Sequence, residues 1–126
     1  MRKKIKRESE LQKQVMDWFK TRPDFLIVRT YVGPIIRGNG RKCPNPMAGF
    51  PDLFGFDPDN KAFAIELKRP DGKLQENQKE WAEKLRAKGV KHIIGRDLDQ
   101  VIHELTELHW SDYADMVDET EGTEAI

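Results

Sequence analysis

Residues 49–68 are GFPDLFGFDPDNKAFAIELK, and the way this stretch folds decides the architecture. Two short apolar, aromatic-rich runs, Leu53 to Phe56 and Ala62 to Leu67, flank Asp57-Pro58-Asp59-Asn60, whose residue types favour a turn. The simplest fold is an antiparallel hairpin. With its tip centred on Asp59, Asp52 falls opposite Glu66, fourteen positions further along the chain. Directly opposed side chains have Cβ atoms about 4.5–5.5 Å apart. The period of two along a strand puts Glu66 and Lys68 on the same side, so two carboxylates and an ammonium converge. A one-residue bulge would instead turn Asp52 to the other face.

An acidic-x-Lys triplet says little alone, because with 13 lysines among 126 residues about two arise by chance. The surroundings say more. Ala62 to Leu67 is apolar at nearly every position, the pattern of a strand covered on both faces, and an acid there needs a partner or a metal ion. A buried structural Glu–Lys pair satisfies that pattern. So does a divalent cation shared by Asp52 and Glu66. Oxygen ligands with no His or Cys nearby suit Mg²⁺ or Mn²⁺ rather than zinc. Such a centre stabilises the negative charge that develops in phosphodiester hydrolysis and lowers the pKa of bound water. A lysine beside it, Lys68, can hold the nucleophile or stabilise the transition state.

Length limits the chain to one domain with a single core. No apolar run approaches the length of a membrane span, and the basic start, Met1 to Arg7, lacks the apolar segment of a signal peptide. The single cysteine, Cys43, excludes an internal disulfide, and Cys43, His92, His103 and His109 lack zinc-ligand spacing. A soluble protein of a reducing cytoplasm, bacterial or of a virus-infected host, is the expectation.

The zero net charge conceals a bipolar chain. Residues 1–50 hold 12 Lys/Arg against 4 Asp/Glu, residues 51–96 hold 10 against 8, and residues 97–126 hold none against 10. Arg2, Lys3, Lys4, Lys6, Arg7, Arg29, Arg37, Arg41 and Lys42 can contact nucleic-acid phosphates, with an affinity that weakens with salt. A solvated basic tail and loop fits the same charges. Residues 1–8 thus form a basic arm, 9–110 the domain, and 111–126 an acidic tail with few apolar anchors, expected to be disordered.

Ser9-Glu10-Leu11-Gln12 has the form of a capping box, and Leu11, Val15, Trp18 and Phe19 share a helical face, which predicts a helix from Glu10 to Lys20 ended by Arg22-Pro23. Phe25 to Tyr31 is strand-like, and a mobile basic loop rich in Gly and Pro follows. Past the hairpin, Gln75 to Lys88 has helical periodicity with Trp81, Ala82 and Leu85 inward and Gly89 as its stop. Val90 to Ile94 is a further strand, and Asp97-Leu98-Asp99-Gln100 opens a last helix burying Val101, Ile102, Leu105 and Leu108. The predicted order is αβββαβα, an α/β fold with a mixed sheet flanked by helices. Trp18, Trp81 and Trp110 are expected in the core or at its rim, not as base-stacking platforms.

From Ser9 to Leu108 these signals in order resemble a stand-alone VRR-NUC domain of the PD-(D/E)XK nuclease superfamily, of the viral and bacterial type. The residues that carry the likeness are Glu10-Leu11-Gln12, Arg29-Thr30-Tyr31-Val32-Gly33, Gly49-Phe50-Pro51-Asp52, Ile65-Glu66-Leu67-Lys68, Gly72-Lys73-Leu74 before Gln78, and the helix end at Gly89. The resemblance implies that Asp52, Glu66 and the backbone carbonyl of Leu67 bind Mg²⁺ or Mn²⁺, with Lys68 acting on the attacking water. It also implies that Glu10 supports the metal site and that Gln78 faces it from the second helix. From the residues alone, Glu10 better fits a first-turn acid that stabilises the helix dipole, and only the resemblance favours a role at the metal site. Gln75 stands where the family usually has Ser or Thr, which would weaken a helix cap. The implied activity is metal-dependent endonucleolytic cleavage of DNA by a homodimer, selective for branched, Holliday-junction-like intermediates of replication, recombination or repair. A restriction-like or DNA-end nuclease, and a nonenzymatic DNA-binding factor on the same fold, are the alternatives.

Overall fold

In the computed structural model, residues 7–106 are described. The basic residues Arg2, Lys3, Lys4 and Lys6, the acidic tail, Leu108 and Trp110 lie outside them. Helix α1 spans Glu8–Lys20 and strand β1 spans Leu26–Arg29. A two-stranded sheet follows, β2 (Ile35–Ile36) with β3 (Lys42–Cys43). Strands β4 (Leu53–Phe56) and β5 (Ala62–Leu67), helix α2 (Glu76–Ala87) and strand β6 (Lys91–Gly95) complete the main sheet. A last helix, α3, covers residues 98–106 of the described chain. The sheet order is β1-β4-β5-β6, antiparallel except for the parallel β5–β6 pair. This is the mixed sheet and α/β class that the sequence implies, with one added hairpin.

The β4–β5 hairpin takes the expected register. Leu53 pairs with Ile65 and Phe56 with Ala62, so the next pair outward is Asp52 and Glu66. The turn residues enforce this register. The buried Asp57 carboxylate accepts the N–H groups of Asp59 and Lys61 at 2.8 and 2.9 Å, and Asn60 takes the left-handed conformation, φ 66°, that asparagine tolerates. At Gly55 a Cβ would lie 1.9 Å from the Leu26 carbonyl oxygen, so the close approach of β1 requires a residue without a side chain.

Side-chain alternation divides the sheet. Phe63, Ile65 and Leu67 of β5 turn towards α1, whose buried stripe is Leu11, Val15 and Phe19, and the Phe19 ring stacks on Phe63 at 5.9 Å. Leu53, Ile93, Val101 and Leu105 complete this core. Each such side chain contributes about 1.5–3 kcal/mol by leaving water. Ala64, Glu66 and Lys68 face the opposite side, and β5 is buried from Phe63 to Leu67, as its unbroken apolar run requires.

Several expectations need correction. Helix α1 starts at Glu8, with Arg7 as a cap lacking a side-chain bond; Ser9 lies inside the first turn, so its capping box does not form. The Leu11 N–H bonds to the Arg7 carbonyl, which adds a residue pair to the helix before Glu10. Strand β1 is shorter than Phe25 to Tyr31, and the segment expected to be a mobile loop contains the β2–β3 hairpin. The second helix runs close to its expected bounds and closes with the Val90 and Gly89 N–H groups bonded to the Leu85 and Arg86 carbonyls. Trp18 packs edge-on against Phe19 and Phe25, and Trp81 against Phe50, as rim and core residues do.

Candidate active site

The site lies where β4 begins and β5 ends. The Asp52 backbone carbonyl accepts the Thr30 N–H at 2.9 Å, and the Thr30 hydroxyl donates to the Pro51 carbonyl at 2.5 Å. The Asp52 carboxylate accepts the Leu67 N–H at 2.8 Å. Asp52 is therefore fastened on both sides, to β1 by its main chain and to β5 by its side chain. Gly49, at φ +89°, lets the preceding turn press against the first turn of α2, where a Cβ would meet Asn77 main chain at 2.8 Å. Trp81 then donates its indole N–H to the Ala48 carbonyl at 3.1 Å.

Glu66 is 3% exposed and Lys68 8% exposed. Burial pushes the Glu66 carboxyl up to about 9, and the Asp52 charge and its hydrogen bond to Glu66 add to the rise. Lys68 opposes the rise, and the charge of Glu8 contributes to it. Two carboxyl groups in contact cannot both ionise cheaply in a buried setting, so they share a proton or a cation. One Glu66 oxygen, Oε2, accepts the Gln78 amide at 3.2 Å. The other, Oε1, is buried without a hydrogen-bond partner among the described residues. A buried carboxylate oxygen with open lone pairs, next to a second carboxylate, fits a hard divalent cation. Among the described residues no three His, Cys, Asp or Glu side chains converge on one point, so further ligands would be main-chain carbonyl or water oxygens.

Gln78 reaches the site from α2, as expected. Its Oε1 accepts the Gln75 N–H at 2.8 Å, which fixes the amide so that its NH₂ end faces Glu66. The bond also satisfies the start of the helix, so Gln75 in place of Ser or Thr leaves its main-chain N–H capped. Arg96 holds the chain just beyond Lys68, donating from Nη1 to the Arg69 and Gly72 carbonyls, both at 2.8 Å.

Of the α1 acids, Glu8 is the one whose charge adds to the rise of Glu66, after burial and Asp52. Glu8 precedes Leu11 and Val15 by about one and two turns, whereas Glu10 stands about 200° around the helix from Glu8, and both acids are exposed. That spacing is present in the sequence itself, but a helix start placed at Glu10 conceals it. Of the basic residues expected to meet nucleic acid, Arg7, Arg29, Arg37, Arg41 and Lys42 are all exposed. With the Gln12 amide turned so that its oxygen faces Arg29, that oxygen accepts from Arg29 Nε at 2.9 Å and Nη2 at 3.1 Å.

An α/β domain that sets a paired Asp and Glu beside a lysine at the end of a β-hairpin has the build of a nuclease that acts on DNA. A family model for the VRR-NUC domain matches residues 2–96, and the chain belongs to this family. A solved structure described as a VRR_NUC domain shares the fold, with a TM-score of 0.58 and 21% identity over 79% of this chain and 94% of that one. No curated protein matches. No helix among the described residues is long and apolar enough to cross a membrane.

Proposed function

We propose that this protein is a Mg²⁺- or Mn²⁺-dependent endonuclease that hydrolyses phosphodiester bonds in branched, junction-like DNA. The observation that carries this reading is the contact of Asp52 with Glu66, whose buried Oε1 has no partner among the described residues, with Lys68 on the same face of the sheet. Asp52, Glu66 and the Leu67 carbonyl would hold the ion, which supplies Lewis-acid stabilisation of the developing charge. Lys68 positions the attacking water and offsets the charge of the pentavalent phosphate. Gln78 keeps the Glu66 carboxylate in its orientation. Glu8 supports the site electrostatically, the role the family resemblance implies for Glu10.

Cutting both strands of a junction from one site per chain calls for a homodimer. Among the described residues strand β1 is an open sheet edge, and Leu26, Val28 and Phe56 on the face it shares with β4 are exposed, which supports pairing of two copies. The lone Cys43 supports a reducing, cytoplasmic setting.

The direct test is cleavage of a four-way junction and of linear and nicked duplexes with Mg²⁺, Mn²⁺ or chelator. Junction cleavage that needs the metal is expected, and equal rates on all substrates would remove the branched-DNA selectivity. Glu8→Gln should lower the rate by about 10–100-fold, the scale of losing a supporting group around a metal. Glu10→Gln should stay within about twofold of wild type, as an exposed acid on the far helix face would. The reverse ranking would return the supporting role to Glu10.

A further inference from the structure

From Phe25 to Pro51 the chain holds Arg29, Arg37, Arg41 and Lys42 and no Asp or Glu. Within it, β2 and β3 pair only with each other among the described residues. The hairpin is braced internally. At the tip the Arg37 N–H donates to the Arg41 carbonyl and the Gly40 N–H to the Arg37 carbonyl, both at 2.8 Å, and the Arg41 N–H bonds to Asn39 Oδ1 at 2.9 Å. The Arg37 guanidinium donates to Cys43 Sγ at 2.7 Å. At the root, Asn45 Nδ2 donates to the Tyr31 and Gly33 carbonyls at 3.0 and 3.1 Å, and the Tyr31 hydroxyl to the Pro34 carbonyl at 2.5 Å.

This ordered structure holds its apolar side chains in water. Ile36 and Tyr31 are each 67% exposed and Ile35 is 43% exposed. Burial in the core does not explain them, because neither strand adds to the main sheet. An apolar projection rimmed by cations and free of acids complements one surface above others, a base stack opened between two phosphate backbones. The segment leading into the hairpin starts at the acid pair, since Thr30, five residues before β2, bonds through main chain and hydroxyl to the Asp52 and Pro51 carbonyls.

We infer that the β2–β3 hairpin is a wedge that inserts Ile36 into an interrupted base stack at a branch point, while Arg37, Arg41 and Lys42 hold the flanking phosphates. The inference rests on DNA being the substrate of the neighbouring site, and it assigns the choice of branched over continuous duplex to this hairpin.

The test uses the full chain and a four-way junction carrying 2-aminopurine beside the branch point, with chelator so that no strand is cut. Wild type should raise the fluorescence about threefold or more by unstacking that base, and should leave an internal 2-aminopurine of a linear duplex unchanged. Ile36→Ser should lose most of that rise and lower the ratio of junction to linear cleavage by about fivefold, with an unaltered melting temperature because the side chain is exposed. Arg37→Ala with Arg41→Ala should weaken binding to both substrates and reduce the salt dependence by about two phosphate contacts. An unchanged fluorescence rise in Ile36→Ser would overturn the wedge. So would an effect of that variant confined to dimerisation or to binding of anionic vesicles. A fluorescence rise without metal-dependent cleavage would support the wedge while defeating the nuclease reading, which keeps the two apart.

Discussion

Replacing Asp52 with asparagine or Glu66 with glutamine is expected to reduce metal-dependent DNA cleavage by roughly a thousandfold, the scale seen when a preorganised stabiliser of transition-state charge is removed. Both variants keep the shape of the site. In Asp52→Asn the amide would still offer an oxygen to the Leu67 N–H, and Glu66→Gln imitates the protonated form that burial already favours in Glu66. Loss of activity would therefore report lost negative charge, not lost folding. Circular dichroism and thermal melting of each variant check that separation. Cleavage within a fewfold of wild type in both would show that the acid pair does not carry the chemistry.

The second large effect concerns stability, and its sign is set by Glu66. Without a cation, its carboxyl is raised from 4.5 to about 9, so at intermediate pH the folded chain keeps a proton that the unfolded chain has released. The stability linked to that proton is fully present below pH 4.5 and is lost as pH rises towards 9. Metal-free protein should thus lose about 1 kcal/mol per pH unit across this range, about 4 °C in Tm for a domain this size. Mg²⁺ or Mn²⁺ should raise Tm most at the alkaline end, where the cation replaces the proton between the two carboxylates. Glu66→Gln should flatten the pH dependence and remove the metal-induced rise. A wild-type Tm that climbs from pH 5 to 9 in chelator would contradict the buried, partnerless state of Glu66.

The hairpin and its acid pair are legible because turn chemistry and period two act locally. Asp57 and Asn60 set the turn, the turn sets the register, and the register places Asp52 across from Glu66. Gln78 falls on the inward side of α2 for a similar reason, since helical periodicity alone puts it near the stripe that includes Ala82. The start of α1 is not legible in the same way. A capping pattern at Ser9 competes with an earlier start at Glu8, and packing against the sheet favours whichever start extends the buried stripe. The β2–β3 hairpin is hidden in the sequence because two-residue strands among Gly, Pro and Arg leave almost no periodic signal.

By itself the sequence determined the order of the main elements, the hairpin register and the three ionisable groups that register gathers, because each follows from neighbours close along the chain. Tertiary structure alone decided that one Glu66 oxygen is buried without a partner among the described residues, that the charge of Glu8 adds to the rise of the Glu66 carboxyl, and that two isoleucines stand in solvent. Those depend on which surfaces of distant segments meet. Burial and electrostatic coupling arise only from that meeting.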